Sequence, residues 1–292
     1  MKLSPNFVFN ADDAGLSLTM SKDLLDQVQE GSLNGISVLM NGESVKWLKE
    51  ALQASQTEQI QIKLHLNLSD GKSLTSPEKI PMLVNANGHF RYTFVSLFFR
   101  YCFSSTRARR LLSEQIEMEI KSQLKAFSDT FSGKIRVDGH NHIHMLPFVF
   151  STLLKTNNLF PLYFVRIPQE KFLFSYFRPF RIRIANLLKF VLLNSLSRLF
   201  NYRARLSRGG IRSNRFFFGV LFSGDVRLRE LRAFCDHVEK NRHDEDVAEV
   251  CIHPGLAEPY EIASWSERDQ TFFISEKRVK EKKVLKEILG KI

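Results

Sequence analysis

Aspartate, glycine and histidine meet in one short run, Asp138-Gly139-His140-Asn141-His142-Ile143-His144-Met145-Leu146-Pro147, directly after the β-favouring Ile135-Arg136-Val137. Three of the eight histidines in the chain fall within five residues here. Strand side chains alternate between faces, so a continued strand would set His140, His142 and His144 on one side, whereas Gly139 permits a sharp turn instead. Either geometry concentrates imidazole, the side chain that titrates nearest neutrality and the commonest protein ligand for a transition metal. Single histidines are mostly satisfied surface or core residues. Their clustering at a strand end is what points to a metal or proton-transfer site.

Other candidate groups stand in similar places. Phe7-Val8-Phe9 is a short β run that stops at Asn10-Ala11-Asp12-Asp13-Ala14-Gly15, residues 60–66 read as a strand ending in His65-Leu66-Asn67-Leu68, and residues 247–252 read as a strand ending in His253-Pro254-Gly255. Each piece alone is weak, since Asp-Asp before glycine is ordinary turn composition. Acids and histidines recurring at the carboxyl ends of several strands are another matter, because α/β folds gather catalytic groups there. One carboxylate with two imidazoles makes an open coordination set for a divalent metal. A second carboxylate can take a proton from water, and a histidine across the site can protonate a departing nitrogen. Hydrolysis of an acyl bond needs these parts.

The intervals between these strands carry helical periodicity. Helices are expected at 21–29, 44–54, 107–131, 146–154 and 228–239, and further strands at 36–40, 163–168 and 216–222. Residues 70–87, with Pro77, Pro81 and Asn87-Gly88, read as a loop that could rim a site. The last twenty or so residues read as a charged helix with Val279, Val284, Leu285, Ile288 and Leu289 as its apolar contacts. Strands alternating with helices argue for a mostly parallel sheet, and the strand number favours barrel-like closure. At 292 residues one domain with an embellishment is the expectation, with a core enriched in the 26 phenylalanines. Cys102, Cys235 and Cys251 have no paired short spacing, so neither a disulfide framework nor a zinc knuckle is indicated. With no apolar signal region near Met1, the reading is cytoplasmic.

Formal net charge is +11, and its location says more than its size. Between Lys171 and Arg215 there are eleven basic residues and no acid, so this block holds the whole excess. A local basic, apolar block means one surface with one task, and the charges lack the interleaved aromatics of a nucleic-acid reader, so nucleic acid is excluded as partner. Residues 180–201 are helix-compatible and apolar around most of the circumference, with a narrow polar strip at Arg183, Asn186, Asn194, Ser197 and Asn201. The apolar runs, broken by Lys189 and Arg198, fall short of the ~20 residues that span a bilayer. Two uses remain open: peripheral contact with an anionic leaflet through 178–208, or a lid or homodimer helix that packs its apolar face on protein.

Taken in order, Asn10-Ala11-Asp12-Asp13-Ala14-Gly15, His65-Leu66-Asn67-Leu68 with Asp70-Gly71, the run 138–147, Phe218-Gly219 to Ser223-Gly224, and His253-Pro254-Gly255 resemble the motifs of the ChbG/HpnK (YdjC-like) carbohydrate deacetylases across nearly the whole chain. Ala14 departs from the usual aromatic after the two acids. The resemblance implies a single domain over 1–292, a distorted (β/α) barrel of about seven strands related to polysaccharide deacetylases, with the basic helical insert at about 171–215. It implies removal of acetyl groups from N-acetylated sugars with one divalent metal ion, magnesium or zinc. Carried over by position, Asp13, His65 and His140 look like the metal ligands, Asp12 like the general base and His253 like the acid. His142 and His144 are left as groups that orient, bind or pack. A similar insert in the hopanoid-associated branch favours a lipid-linked sugar and contact with the inner membrane face. The competing readings are a metal-dependent phosphoester hydrolase and a non-enzymatic basic protein that binds a membrane surface.

Overall fold

In the computed structural model, which describes residues 6–55, 60–173 and 182–290, seven short β runs lie side by side. They are β1 (Phe7–Ala14), β2 (Gly35–Val38), β3 (Gln61–Leu66), β4 (Ile135–Gly139), β5 (Leu162–Val165), β6 (Phe216–Phe218) and β7 (Ala248–Ile252). Their pairings are all parallel, in the order β5-β4-β3-β2-β1-β7-β6. Parallel strands need crossover connections, and helices supply them. In chain order these are α1 (Leu18–Gln29), α2 (Val45–Ala54), α3 (Phe94–Cys102), α4 (Thr106–Thr130), α5 (Pro147–Lys155), α6 (Ile184–Leu199), α7 (Tyr202–Arg208) and α8 (Leu228–Asn241), and after the last strand come α9 (Glu267–Phe273) and α10 (Glu276–Ile288).

The sheet curls until its edges nearly meet. Val165 N donates to Arg212 O at 2.9 Å and Arg212 N donates to Tyr163 O at 3.0 Å, so the segment before β6 reaches β5. Asn214 completes the closure, since its Oδ1 accepts from Ile167 N at 2.8 Å and its Nδ2 donates to Ile167 O at 2.9 Å. The result is the expected distorted barrel of seven parallel strands.

Two cores follow from this geometry. Outside the sheet, apolar strand residues meet the helices; α4 illustrates the rule, with Leu112, Ile116, Ile120, Leu124 and Phe127 buried at helical spacing behind an N-cap in which Ser105 Oγ accepts from Ala108 N. Each such side chain contributes roughly 2 kcal/mol by leaving water. Inside the barrel, Val8, Phe164 and Val247 form a small apolar floor. Above it the interior is ionic. Lys63 lies 2.5 Å from Glu249, and Arg166 lies 2.6 Å from Glu249 and 2.7 Å from Asp138, all fully buried. Charges so deep hold only as mutually paired groups.

Several boundaries differ from the sequence reading. β4 stops at Gly139, and Asn141 and His142 adopt left-handed backbone (φ 52° and 57°), so the three histidines wind into a 3₁₀ turn and share no strand face. β6 ends at Phe218 because Gly219 (φ 143°) turns the chain where a Cβ would lie 2.6 Å from Cys251 O. β5 ends at Val165, short of Pro168. In α10, Leu285 and Leu289 are buried, but Val279 is exposed. Of the basic insert, residues 174–181 lie outside the described residues, and α6 with α7 make up its helical part.

Within the described residues α6 is turned the other way from a lid that packs its apolar face on protein. Its buried residues are Asn186, Leu193, Asn194, Leu196 and Ser197, so the middle of the polar strip faces inward with two leucines, while Arg183 and Asn201 at its ends stay exposed. Asn186 Nδ2 donates to the carbonyls of Leu221 and Ser223 at 3.1 and 3.0 Å, clipping the helix to the segment after β6. Ile184, Leu188 and Val191 are 77%, 65% and 53% exposed.

Candidate active site and metal centre

β1 delivers both acids. Along it Asn10 and Asp12 belong to the buried polar interior, and Asp13 ends the alternation with a left-handed backbone (φ 73°). Aspartate tolerates that conformation at a cost of order 1 kcal/mol, a strain characteristic of functional strand ends. Here it brings two consecutive carboxylates to the same cavity. β3 delivers His65, which in the parallel register is the direct neighbour of Asp138 on β4. His140 follows where β4 breaks. Gly139 makes that break feasible, since a Cβ there would lie 2.5 Å from His144 Nδ1.

Asp13, His65 and His140 converge: Asp13 Oδ1 is 3.6 Å from His65 Nε2 and 3.2 Å from His140 Nδ1, and one ligand atom from each lies within 4.8 Å of the others. Each imidazole is braced from behind by another carboxylate. His65 Nδ1 is 2.6 Å from Asp138 Oδ1, and His140 Nε2 is 3.0 Å from Asp269 Oδ2. Carboxylates on the far nitrogens fix ring orientation and raise ligand basicity, as metal-bound histidines require. Arg278, fully buried, donates to Asp13 Oδ2 at 3.0 Å and leaves Oδ1 aimed between the two histidines. The electrostatics agree. Burial works against a charged His140, yet its hydrogen bonds to Asp13 and Asp269 raise its pKa to about 10, so the focus calls for positive charge. One oxygen and two nitrogen donors, oriented and electron-rich, fit a divalent ion.

Asp12 stands beside this focus, with Oδ2 3.9 Å from His65 Nε2. Arg166 clamps it through two hydrogen bonds of 2.8 Å, Asn10 Nδ2 donates to Oδ1 at 2.8 Å and Cys251 Sγ to Oδ2 at 3.2 Å. Burial opposes the ionised form, but Arg166 and then His65 outweigh it and hold the carboxyl well below its ordinary range. Asp12, Cys251 and His253 also lie close enough to hold an ion, but Arg166 already occupies both oxygens of Asp12. His253, from the end of β7, joins the cavity across from β4; its backbone N donates to Glu281 Oε2 at 2.7 Å and its Nδ1 lies 3.5 Å from the same oxygen.

Thus Asp12, Asp13, His65, His140 and His253 all line one cavity of about 540 Å³ at the carboxyl ends of the strands. The remaining histidines separate. His144 Nε2 donates to Arg166 O at 2.9 Å and burial lowers its pKa to about 4, so it is a neutral brace between β4 and β5. His142 lines the cavity, and burial first, then the neighbouring His144 ring and the Arg166 guanidinium, push its pKa well below the ordinary imidazole range.

Sequence reasoning missed Arg166, Asp269, Arg278 and Glu281. Arg166 follows β5 and looks like a strand-end surface cation, while Asp269, Arg278 and Glu281 sit in charged helices where acids and bases are commonplace. The one available signal was register: pairing β3 with β4 puts Asp138 beside His65. Asp70, part of the rim motif, accepts hydrogen bonds from the Ser266 backbone N–H at 2.9 Å and from its hydroxyl, which anchors the start of α9 and thereby Asp269.

A carbohydrate deacetylase of Danio rerio is 28% identical to the chain over 181 residues, covering 61% of this chain and 55% of that protein. A carbohydrate deacetylase of Oceanobacillus iheyensis is 30% identical over 136 residues, covering 46% and 53%. A chitooligosaccharide deacetylase of Yersinia pestis strain Pestoides F is 26% identical over 144 residues, covering 49% and 52%. The chain thus spans about half the length of these curated relatives. A crystal structure from Enterococcus faecalis V583, described as a cellobiose-phosphate cleavage protein, superposes with a TM-score of 0.68 over 98% of this chain and 93% of that one, at 15% identity, and shows the shared fold. The model of the family described as YdjC-like protein matches residues 6–287, and the chain belongs to that family.

Proposed function

We propose that this chain is a divalent-metal-dependent hydrolase that removes the acetyl group from an N-acetylhexosamine unit and releases acetate. The observation that carries the reading is the convergence of Asp13, His65 and His140 on one focus, with Asp12 and His253 in the same cavity. Relatives named carbohydrate deacetylase and chitooligosaccharide deacetylase support the substrate class. Asp13, His65 and His140 would hold the ion, zinc or magnesium, which when bound supplies Lewis acidity toward an acyl oxygen and lowers the pKa of water.

The chain's own groups do the rest. Asp12, kept ionised and oriented by Arg166, accepts a proton from the attacking water as its oxygen bonds to the acyl carbon. His253 gives a proton to the amide nitrogen as the C–N bond breaks, so acetate and a free amine leave. The strong clamp on Asp12 trades basicity for position. His142, neutral and facing the cavity, is suited to hydrogen-bond the sugar.

Membrane contact is supported by α6. Its Ile184, Leu188 and Val191 are exposed, and Leu192 of the same helix lines the cavity together with Val95 of α3. Phe99 and Phe103 are 50% and 83% exposed. Apolar side chains with the exposed Arg198 among them match an anionic leaflet, where each cation contributes ~1 kcal/mol. No described helix is long and apolar enough to cross a membrane, so the contact is peripheral. This favours a glycan carried on a lipid at the inner face of the membrane, and the free thiols of Cys102, Cys235 and Cys251 fit that reducing side.

Acetate release from an N-acetylglucosamine glycoside, abolished by chelator and restored by zinc or magnesium, tests the reaction. Asp12→Asn should retain metal and lose roughly 10²–10⁴-fold in turnover. An active, metal-free His140→Ala enzyme would remove the mechanism.

A further inference from the structure

Outside the basic insert, charge is balanced as a total but not along the chain. Between Glu78 and Glu114 stand Lys79, Arg91, Arg100, Arg107, Arg109 and Arg110, with no acid among them. The last four of these lie at the corner where α3 passes into α4, and all four are exposed. Two of them brace the turn itself: Arg100 Nη1 donates to Ser104 Oγ at 3.2 Å and Arg109 Nη2 to Cys102 O at 2.6 Å. Arg110 shares the exposed Glu114 at 2.9 Å, whereas Arg100, Arg107 and Arg109 form no ion pair among the described residues.

α3 is fixed from its inner side. Leu97 is fully buried, Phe94, Phe98 and Tyr101 pack against the core, and the Tyr101 ring stacks on Phe148 with centroids 3.9 Å apart. A capping box between Thr93 and Ser96 closes the start of the helix. The outer side carries Val95, Phe99 and Phe103 at intervals of four, which sets them one above another in a single exposed stripe. The Phe99 and Phe103 rings stack at 5.8 Å, so the far end of the stripe is one apolar block beside the arginines. Its near end is Val95, which also lines the cavity. A contiguous apolar surface held out on a pinned helix marks a contact with something outside the molecule.

We propose that the α3–α4 corner is an insertion wedge for an anionic lipid leaflet, with Phe99 and Phe103 entering the acyl boundary while Arg100, Arg107, Arg109 and Arg110 meet the lipid phosphates. Apolar rings flanked by cations are how a peripheral element lies in such an interface, and guanidinium groups match phosphate oxygens. A second copy of the chain fits the patch poorly, because a two-fold contact sets a surface against itself and would bring arginine to arginine. The wedge deepens the membrane reading of α6 and rests on it for the class of partner, but it is built from other residues. Val95 of α3 and Leu192 of α6 line the same cavity, so a leaflet that takes both elements meets the cavity at its rim.

Cys102 offers the probe, since it is exposed at this corner while Cys235 and Cys251 are buried, and an environment-sensitive thiol dye therefore reports on the wedge alone. With vesicles of phosphatidylglycerol and phosphatidylcholine the emission should shift to the blue, and nitroxide-bearing lipids should quench it. With phosphatidylcholine alone the lipid needed for half the response should rise about tenfold or more. Phe99→Ser with Phe103→Ser should raise it about tenfold on the anionic vesicles, and Arg107→Gln with Arg109→Gln should do so on those vesicles but not on neutral ones. Moving the dye to α6, as Leu188→Cys in a Cys102→Ser chain, scores the other reading separately. Quenching on α6 with silence at Cys102 overturns the wedge and leaves α6 standing; quenching at Cys102 alone supports the wedge and removes α6. An equal blue shift with polyglutamate assigns the corner to an acidic protein, and one that grows with protein concentration in the absence of lipid assigns it to a second copy, and either overturns the wedge. No arm uses turnover, so the deacetylase reading is tested independently.

Discussion

Around the strand ends, Asp12, Asp13, Asp138 and Glu249 each lie against a buried cation, whereas on α6 the polar Asn186, Asn194 and Ser197 turn inward and Ile184, Leu188 and Val191 turn out. The first region is complete in itself apart from the charge its focus calls for. The second leaves an apolar face exposed among the described residues. The catalytic groups are thus fixed by the charged barrel interior, while α6 adds Asn186, Lys189, Leu192 and Leu193 to the wall of the same cavity.

The largest effect should follow from emptying the focus. Asp13→Ala or His140→Ala removes a donor, and kcat/KM should fall by roughly 10³-fold or more together with loss of bound metal by elemental analysis. Retained metal in either variant would break the view that this region is self-contained. Removing a brace costs less. Asp269→Asn or Asp138→Asn should weaken metal affinity by about 10–100-fold in chelator competition, with the donors still present.

On α6 the expected effect is confined to partition. Leu188→Gln with Val191→Gln should reduce co-sedimentation with anionic vesicles by about tenfold, since each side chain gives up part of its apolar burial. Pelleting equal to wild type would sharpen the contrast differently, for a dimer that dissociates in the same variant would name a second copy of the chain as the cover.

A last effect falls on stability rather than on function and concerns Glu170, whose Oε2 accepts from Val220 N and Leu221 N at 2.8 and 3.0 Å beside the cavity. Burial raises its pKa from 4.5 to about 7, against the pull of those amides. A carboxyl raised in the folded state binds more protons folded than unfolded, so its contribution is present below about 4.5 and is lost as pH rises through about 7. Glu170→Gln should flatten that part of the stability profile and gain up to roughly 3 kcal/mol at pH 8, measured by denaturant unfolding. An unchanged slope between pH 5 and 8 would mean that the carboxylate is better solvated than its burial implies.

Much of this was legible before any coordinates. Alternating strands and helices identify a parallel barrel because each element is written in its own local period, and the acids and histidines stand where that fold collects functional groups. The residue types at Asp12, Asp13, His65, His140 and His253 were therefore enough to nominate a site. Tertiary structure decided what no local pattern encodes. Whether His140 continues a strand depends on the space His144 needs against Gly139, and which face of α6 turns inward depends on two carbonyls after β6. The partners of the acids, Arg166 and Arg278, come from segments 154 and 265 residues away, and pairing across such distances is fixed only when the chain closes around its own charges.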